Sequence, residues 1–325
     1  MTAGIVDAVA VMIGRRVDSD EFEAAGVSGE WIRRRMGIDG RRWLDPETPL
    51  VEPAAQACRA LAERSADDAG VGALILVSSS APRRVPGMAQ EVALRAGLPP
   101  TVLAFDLNAV CTGFPYGLAT ALALVDAGHV ASAVVCAAEA WSRLIDPNDR
   151  KTGPLFADGV AAVLVAARDG FAPCLVRAGC DGEFREVIHE QRPGQAPPGI
   201  HMDGGLVYQH AVRHMSELAV ELAGHEPRPT VFVPHQANGR MLATMGEDLA
   251  ELGIPVVNRI AEAGNTSSAT IPLAFAAALA DGELPLAGRL GAIGYGSGEA
   301  WGAVSVSYRL DRRPVLVAPE TGGDR

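Results

Sequence analysis

Short continuous apolar runs recur along this chain, separated by longer stretches in which apolar positions return with a helical period. The N-terminal stretch MTAGIVDAVAVMIGRR reads as a first core strand. Further strand-like runs are ALILVSS (73–79), ASAVVCAAEA (131–140), AAVLVAA (161–167), TVFVPHQ (230–236), LGAIGYG (290–296) and GAVSVSYRL (302–310). Helical patterns lie near 52–64, 88–96, 112–127, 206–223, 239–252 and 268–281. Strands apolar on both faces, alternating with helices, describe a sheet covered on both sides. The pattern predicts an α/β chain in layers. No apolar run reaches the ~20 residues of a spanning helix, so no membrane partner is expected.

The two halves echo each other. LILVSSSAPRRVPGMAQEVALRAG (74–97) is strand, loop, helix, and so is VFVPHQANGRMLATMGEDLAELG (231–253). NAVCTGFPYGLATALALVDAG (108–128) is matched by GNTSSATIPLAFAAALADG (264–282); both enter a helix through an early proline and end on Asp and Gly. Each half closes with a glycine loop and a strand, FADGVAAVLVAARDG (156–170) and GYGSGEAWGAVSVSYRL (294–310). The reading divides the chain into halves at 1–168 and 169–325. Equivalent helix starts in a duplicated fold converge near the pseudo-two-fold axis, which predicts Cys111 and Asn265 as neighbours with the His235 loop entering the same cleft.

Composition narrows the partners. A net charge of −11 argues against nucleic acid. Five cysteines, scattered without a C-x-x-C pair, read as reduced thiols of a cytoplasmic protein. Of these, Cys58, Cys136, Cys174 and Cys180 read as packing residues. The tail 315–325 reads as frayed.

Cys111 stands where a strand-like run gives way to a helix. Alone, it reads either as a small buried hydrophobe or as a thiolate favoured by a helix N-terminus. His235 in VPHQAN and Asn265 in GNTSSA change that balance. An imidazole exchanges the thiol proton, and a neutral carboxamide shares with it the stabilisation of an oxyanion or enolate. The glycine loop GYGSG (294–298) lets backbone N–H groups approach a thioester carbonyl. It leads to a strand, not a helix, which excludes a dinucleotide-binding loop. His210 and His214 share one helical face as some zinc ligands do, but a third ligand is not evident, so no metal is expected.

The segments DLNAVCTGFPYGLATA, VPHQANGRML, GNTSSATIPLAF and GYGSGEAWGA resemble the motifs of β-ketoacyl-acyl carrier protein synthase III enzymes of the thiolase-like superfamily, in the same order over residues 1 to 310. The resemblance implies a five-layered αβαβα fold of two duplicated halves, a homodimer, and a Cys111–His235–Asn265 triad. It implies an oxyanion hole from the backbone N–H of Cys111 and of Ser297 or Gly298. It places coenzyme A against Trp31, Arg35, Arg150, Asn238 and Arg240, with Trp31 and Arg150 on the two faces of adenine. The implied reaction is acylation of Cys111 by an acyl-CoA, then decarboxylative condensation with a malonyl thioester on coenzyme A or an acyl carrier protein, with no cofactor.

This chain departs from the family pattern at four places. Glu247 and Asp248 stand where a basic pair usually meets an acidic carrier protein. Gly205 and Gln209 replace a usual asparagine and lysine near the pantetheine arm, and Val85 is a small residue where members close the partner subunit's acyl pocket. These departures point to specialised, natural-product metabolism. Glu247–Asp248, with Glu299 beside the glycine loop, also keeps open a rival in which the acyl group passes to a hydroxyl, amine or carrier without decarboxylation. A catalytically silent subunit is the remaining alternative, and the intact triad argues against it.

Overall fold

In the computed structural model, which describes residues 1–64, 70–191 and 199–318, the apolar runs become two sets of strands built to one plan. The first set comprises β1 (Thr2–Val11), β4 (Ala73–Val77), β5 (Leu103–Leu107), β6 (Ser132–Ala140) and β7 (Asp158–Arg168). A separate hairpin, β2 (Arg15–Asp18) with β3 (Gly40–Trp43), flanks α1 (Gly29–Met36). The order is β5-β4-β6-β7-β1: β4 is parallel to β5 and β6, and β7 is antiparallel to β6 and β1.

The second set uses β8 (Leu175–Cys180), β11 (Val231–Pro234), β12 (Ala287–Gly296) and β13 (Ala300–Arg309). Between β8 and β11 lies a small hairpin of β9 (Ile188–Glu190) and β10 (Ile200–Met202). The order is β11-β12-β13-β8, and Val256 bridges to Phe232 where β5 stands in the first set. The directions also repeat: β11 is parallel to β12, and β13 is antiparallel to β12 and β8. A single pairing, Ile5 with Tyr308, joins the sets. The tail corrects its sequence reading: β14 (Val315–Val317) adds to β1 in parallel, and 319–325 lie outside the described residues.

Helices fill three layers around these strands. α2 (Val51–Arg64) and α3 (Ala89–Arg95) cover the outer face of the first set, and α5 (Gly204–Ala223) and α6 (Gly239–Asp248) cover that of the second. Between the sheets run α4 (Gly113–Asp126) and α8 (Thr270–Ala280), with the short α7 (Ile260–Ala263) before α8. A helix sandwiched between sheets has no wet face, and α4 and α8 are accordingly apolar nearly all round. Phe114, Leu118 and Leu122 of α4 are fully buried, each contributing about 1.5–3 kcal/mol of burial. This is the five-layered α/β architecture. The central layer sets the site, because α4 and α8 begin against each other.

Among the described residues no helix is long and apolar enough to cross a membrane. Cys58 and Cys136 are buried as expected, but Cys174 is only half-buried and Cys180 is exposed on β8.

Candidate active site

Cys111 occupies the middle of a single 3-10 turn, Val110–Thr112, between β5 and α4. The turn opens with Val110 at φ +46°, a left-handed conformation that a β-branched residue adopts only when its surroundings hold it there. Ala109 O accepts from the Thr112 N–H at 3.1 Å and from Thr112 Oγ1 at 2.6 Å. β12 presses on the turn from the other side. A Cβ on Gly296 would lie 2.7 Å from that of Cys111, so only glycine lets the strand pass so closely. Burial pushes the Cys111 thiol up to about 12; Ser267 Oγ, 3.7 Å from Sγ, pulls it back, and the charge of Glu139 adds to the rise. The depressed pKa expected at a helix start is overturned, because removal from water outweighs the helix terminus and leaves a neutral thiol.

His235 follows β11, anchored by its backbone N–H to Ile293 O at 2.7 Å. Its Nδ1 lies 2.7 Å from Thr270 Oγ1. That hydroxyl gives its own hydrogen to Ser267 O at 2.9 Å. This assigns the ring hydrogen to Nδ1 and leaves a lone pair on Nε2. Burial drives the imidazole down to about 3, so it is neutral at physiological pH.

Asn265 follows Gly264 and bonds backbone to backbone with Leu155 and Ala157. Its Oδ1 accepts the Ser267 N–H at 2.9 Å. The amide is thereby oriented with Nδ2 as the free donor, only weakly engaged by Ala237 O at 3.5 Å.

Cys111, His235 and Asn265 all line one cavity of about 500 Å³. Its walls are mostly apolar, including Trp141, Phe156, Val207, Met241 and Tyr295. Trp31, Arg35, Arg150, Lys151 and Asn238 line it as well. α1 reaches this position because its C-terminal Gly37 (φ +72°) abuts Gly239 at the start of α6, where any side chain would meet backbone at about 2.9 Å. Trp31 is 38% exposed. Arg150 donates to Gly26 O.

Not all of the other expected residues reach the cavity. Ser297 lines the cavity, whereas Gly298 and Arg240 are not among its described lining residues. Val85 is 87% exposed and also outside the cavity. Glu299 does not face the cavity: its carboxylate takes hydrogen bonds from Tyr295 OH at 2.6 Å and His210 Nδ1 at 2.7 Å. His214 stacks on Trp301 with ring centroids 4.2 Å apart. The polar residues behind the cavity, Ser267, Thr270 and Glu139, have no counterpart in the sequence reading. Superposing the Pro115 and Pro272 helices in register sets Val110 over Ser267, which is the signal that points to this turn.

Residues 105–182 match the family model described as 3-oxoacyl-[acyl-carrier-protein (ACP)] synthase III, and residues 228–308 match that of its C-terminal part. β-Ketoacyl-[acyl-carrier-protein] synthase III 2 of Streptomyces coelicolor is 38% identical over 302 residues, covering 90% of this chain and 89% of the relative. The structure is similar to that of 3-oxoacyl-(acyl carrier protein) synthase III from Pseudomonas aeruginosa, with a TM-score of 0.85 and 31% identity over 95% of this chain and 99% of that one. It is also similar to the priming β-ketosynthase of a polyketide biosynthetic pathway, with a TM-score of 0.87 and 27% identity over 95% of this chain and 96% of that one.

Proposed function

The chain belongs to the 3-oxoacyl-[acyl-carrier-protein] synthase III family of condensing, acyl-transferring enzymes, and from that premise we propose that Cys111 takes an acyl group from an acyl-CoA and yields it to a malonyl thioester with loss of CO2. The observation that carries this reading is the convergence of Cys111, His235 and Asn265 on a single cavity with Trp31, Arg35 and Arg150 in its lining.

The reaction starts from two neutral groups. The lone pair on His235 Nε2 accepts the thiol proton as sulfur attacks the thioester carbonyl, then returns it to the departing CoA sulfur. The backbone N–H groups of Cys111 and Ser297 stabilise the tetrahedral oxyanion. In the second half, the malonyl carboxylate leaves as CO2, and Asn265 Nδ2–H donates to the enolate oxygen. The proton that the overall condensation consumes enters at His235 Nε2, supports the same oxygen, and ends on the Cys111 sulfur when the carbanion displaces it.

The protein acts as a homodimer in this reading. Support comes from β5, a sheet edge on which Leu103 is 47% exposed, and from the exposed Val85. Glu247 and Asp248 at the end of α6 weaken attraction for an acidic carrier. That favours a specialised pathway over housekeeping chain initiation. The non-decarboxylative rival loses one support, because Glu299 is engaged by His210 and Tyr295.

Incubation with a panel of acyl-CoAs, read by intact mass, tests the reading. One acyl group is expected on the wild type and none on Cys111→Ala. Adding malonyl thioester gives a product two carbons longer than the acyl group and releases CO2. An unmodified wild type, or a product carrying the acyl group alone, overturns the proposal.

A further inference from the structure

Glu139, next to last in β6, is completely buried, and among the described residues no Arg or Lys forms an ion pair with it. Four donors converge on its carboxylate: the Ser79 N–H at 3.2 Å, Ser79 Oγ at 3.0 Å, Ser80 Oγ at 2.6 Å and Ser268 Oγ at 2.6 Å. Two of these hydroxyls each accept one hydrogen bond from behind. Trp141 Nε1–H donates to Ser79 Oγ at 3.0 Å, and the Ala140 N–H donates to Ser80 Oγ at 2.8 Å. Each of these hydroxyls thus keeps its hydrogen and one lone pair for Glu139, while the Ser79 N–H donates to the carboxyl in either protonation state. Burial raises this carboxyl's pKa and the hydroxyls draw it back.

Ser268 belongs to the Ser267–Ala269 turn before α8. That turn touches every member of the proposed triad. Ser267 Oγ lies 3.7 Å from Cys111 Sγ, its N–H holds Asn265 Oδ1, and its carbonyl holds Thr270, which holds His235. Ser267 sits at φ +52°, a conformation that non-glycine residues adopt under constraint. The short Glu139–Ser268 bond, 2.6 Å, anchors the turn to the first sheet.

We infer that Glu139 is a positioning residue for acyl transfer: through Ser268 it fixes the turn that sets Cys111, His235 and Asn265 at their working separations. Through Ser79 the same carboxylate also holds Trp141 in the cavity wall. The inference rests on Cys111 being the acylated residue.

The test uses the full chain with Glu139→Gln, Ser268→Ala and the double variant. The acylation rate constant and the KM for acyl-CoA are followed by rapid quench and intact mass, alongside melting temperature. Glutamine keeps the shape but replaces one carboxyl oxygen with an NH2, which reverses the hydrogen bonds on that side of the cluster. The expected result is a folded protein whose acylation kcat falls roughly tenfold to a hundredfold, the scale of a small misplacement of reacting groups. In Ser268→Ala, whose side chain makes no contact with the Trp141 wall, KM stays within about twofold. The double variant is no slower than Glu139→Gln alone, since both act through one link. Wild-type kcat in both single variants, multiplicative losses in the double, or a Ser268→Ala KM that rises in step with the loss overturns the inference. Ser268→Ala removes one atom and decides the matter alone if Glu139→Gln does not fold. A wild type that takes up no acyl group instead overturns the reading of Cys111, which separates the two failures.

Discussion

Val110 and Ser267 open equivalent turns at the starts of α4 and α8, and both adopt left-handed backbone, with φ +46° and +52°. The turns meet through Cys111 and Ser267, so each repeat buttresses the other's irregular geometry. Left-handed backbone costs a non-glycine residue about 1–2 kcal/mol, while losing the half-buried Val110 side chain costs about 1 kcal/mol. Val110→Gly is therefore expected to melt within a few degrees of the wild type, yet to acylate about tenfold more slowly because the turn loosens. Calorimetry and quench-flow acylation check the two halves of this expectation.

Gly296→Ala places a methyl group 2.7 Å from the Cys111 Cβ and 3.1 Å from its nitrogen. The methyl group meets the Cβ and backbone of the turn, not the end of a flexible side chain, so Cys111 is displaced. Acylation is expected to drop by about a hundredfold, with a lowered melting temperature, as measured by intact mass over time and by thermal unfolding.

The pKa of Cys111, raised to about 12, keeps it a thiol at neutral pH. Iodoacetamide reacts with thiolate. Labelling of Cys111 is expected to be slow at pH 7 and to rise about tenfold per pH unit toward pH 10, read by peptide mass mapping. A plateau below pH 9 would contradict it.

His235 stays neutral in the fold down to about pH 3, whereas an unfolded histidine takes up a proton below about 6.5. Between these values the unfolded state binds more protons, so stability rises with pH and is lost as pH falls from 6.5 toward 3. His235→Gln is expected to flatten this part of the slope. Urea unfolding of both proteins at pH 7.5 and 5 measures the difference.

Trp31→Ala is expected to raise KM for acyl-CoA about tenfold, equivalent to about 1.4 kcal/mol, because Trp31 offers an exposed ring at the cavity. The same substitution leaves kinetics with a truncated acyl-pantetheine thioester unchanged. Steady-state kinetics on both substrates distinguish loss of a nucleotide contact from general damage.

The layered α/β class and the positions of most strands were legible because fully buried strands are continuous apolar runs. Edge strand β8 was not, since LVRAGC alternates half-buried and exposed positions and carries a charge. The tail looked frayed because VLV is too short to announce a strand; only β1 beside it makes it one. The meeting of Cys111, His235 and Asn265 at one cavity was legible because each stands beside the end of a regular element. The contact between Glu139 and Ser268 was invisible, because the two lie 129 positions apart and no local spacing encodes it. The thiol's raised pKa was missed for a related reason, because a helix start is visible in sequence and burial depth is not.

Two copies of one strand pattern abut at their helix starts, a sulfur on one side and serine hydroxyls on the other. Any substitution that displaces one copy there displaces its twin, so the duplicated segments cannot drift independently, however little sequence they still share. The hydroxyl-bearing copy is thus held by the same contact as the copy that bears the sulfur.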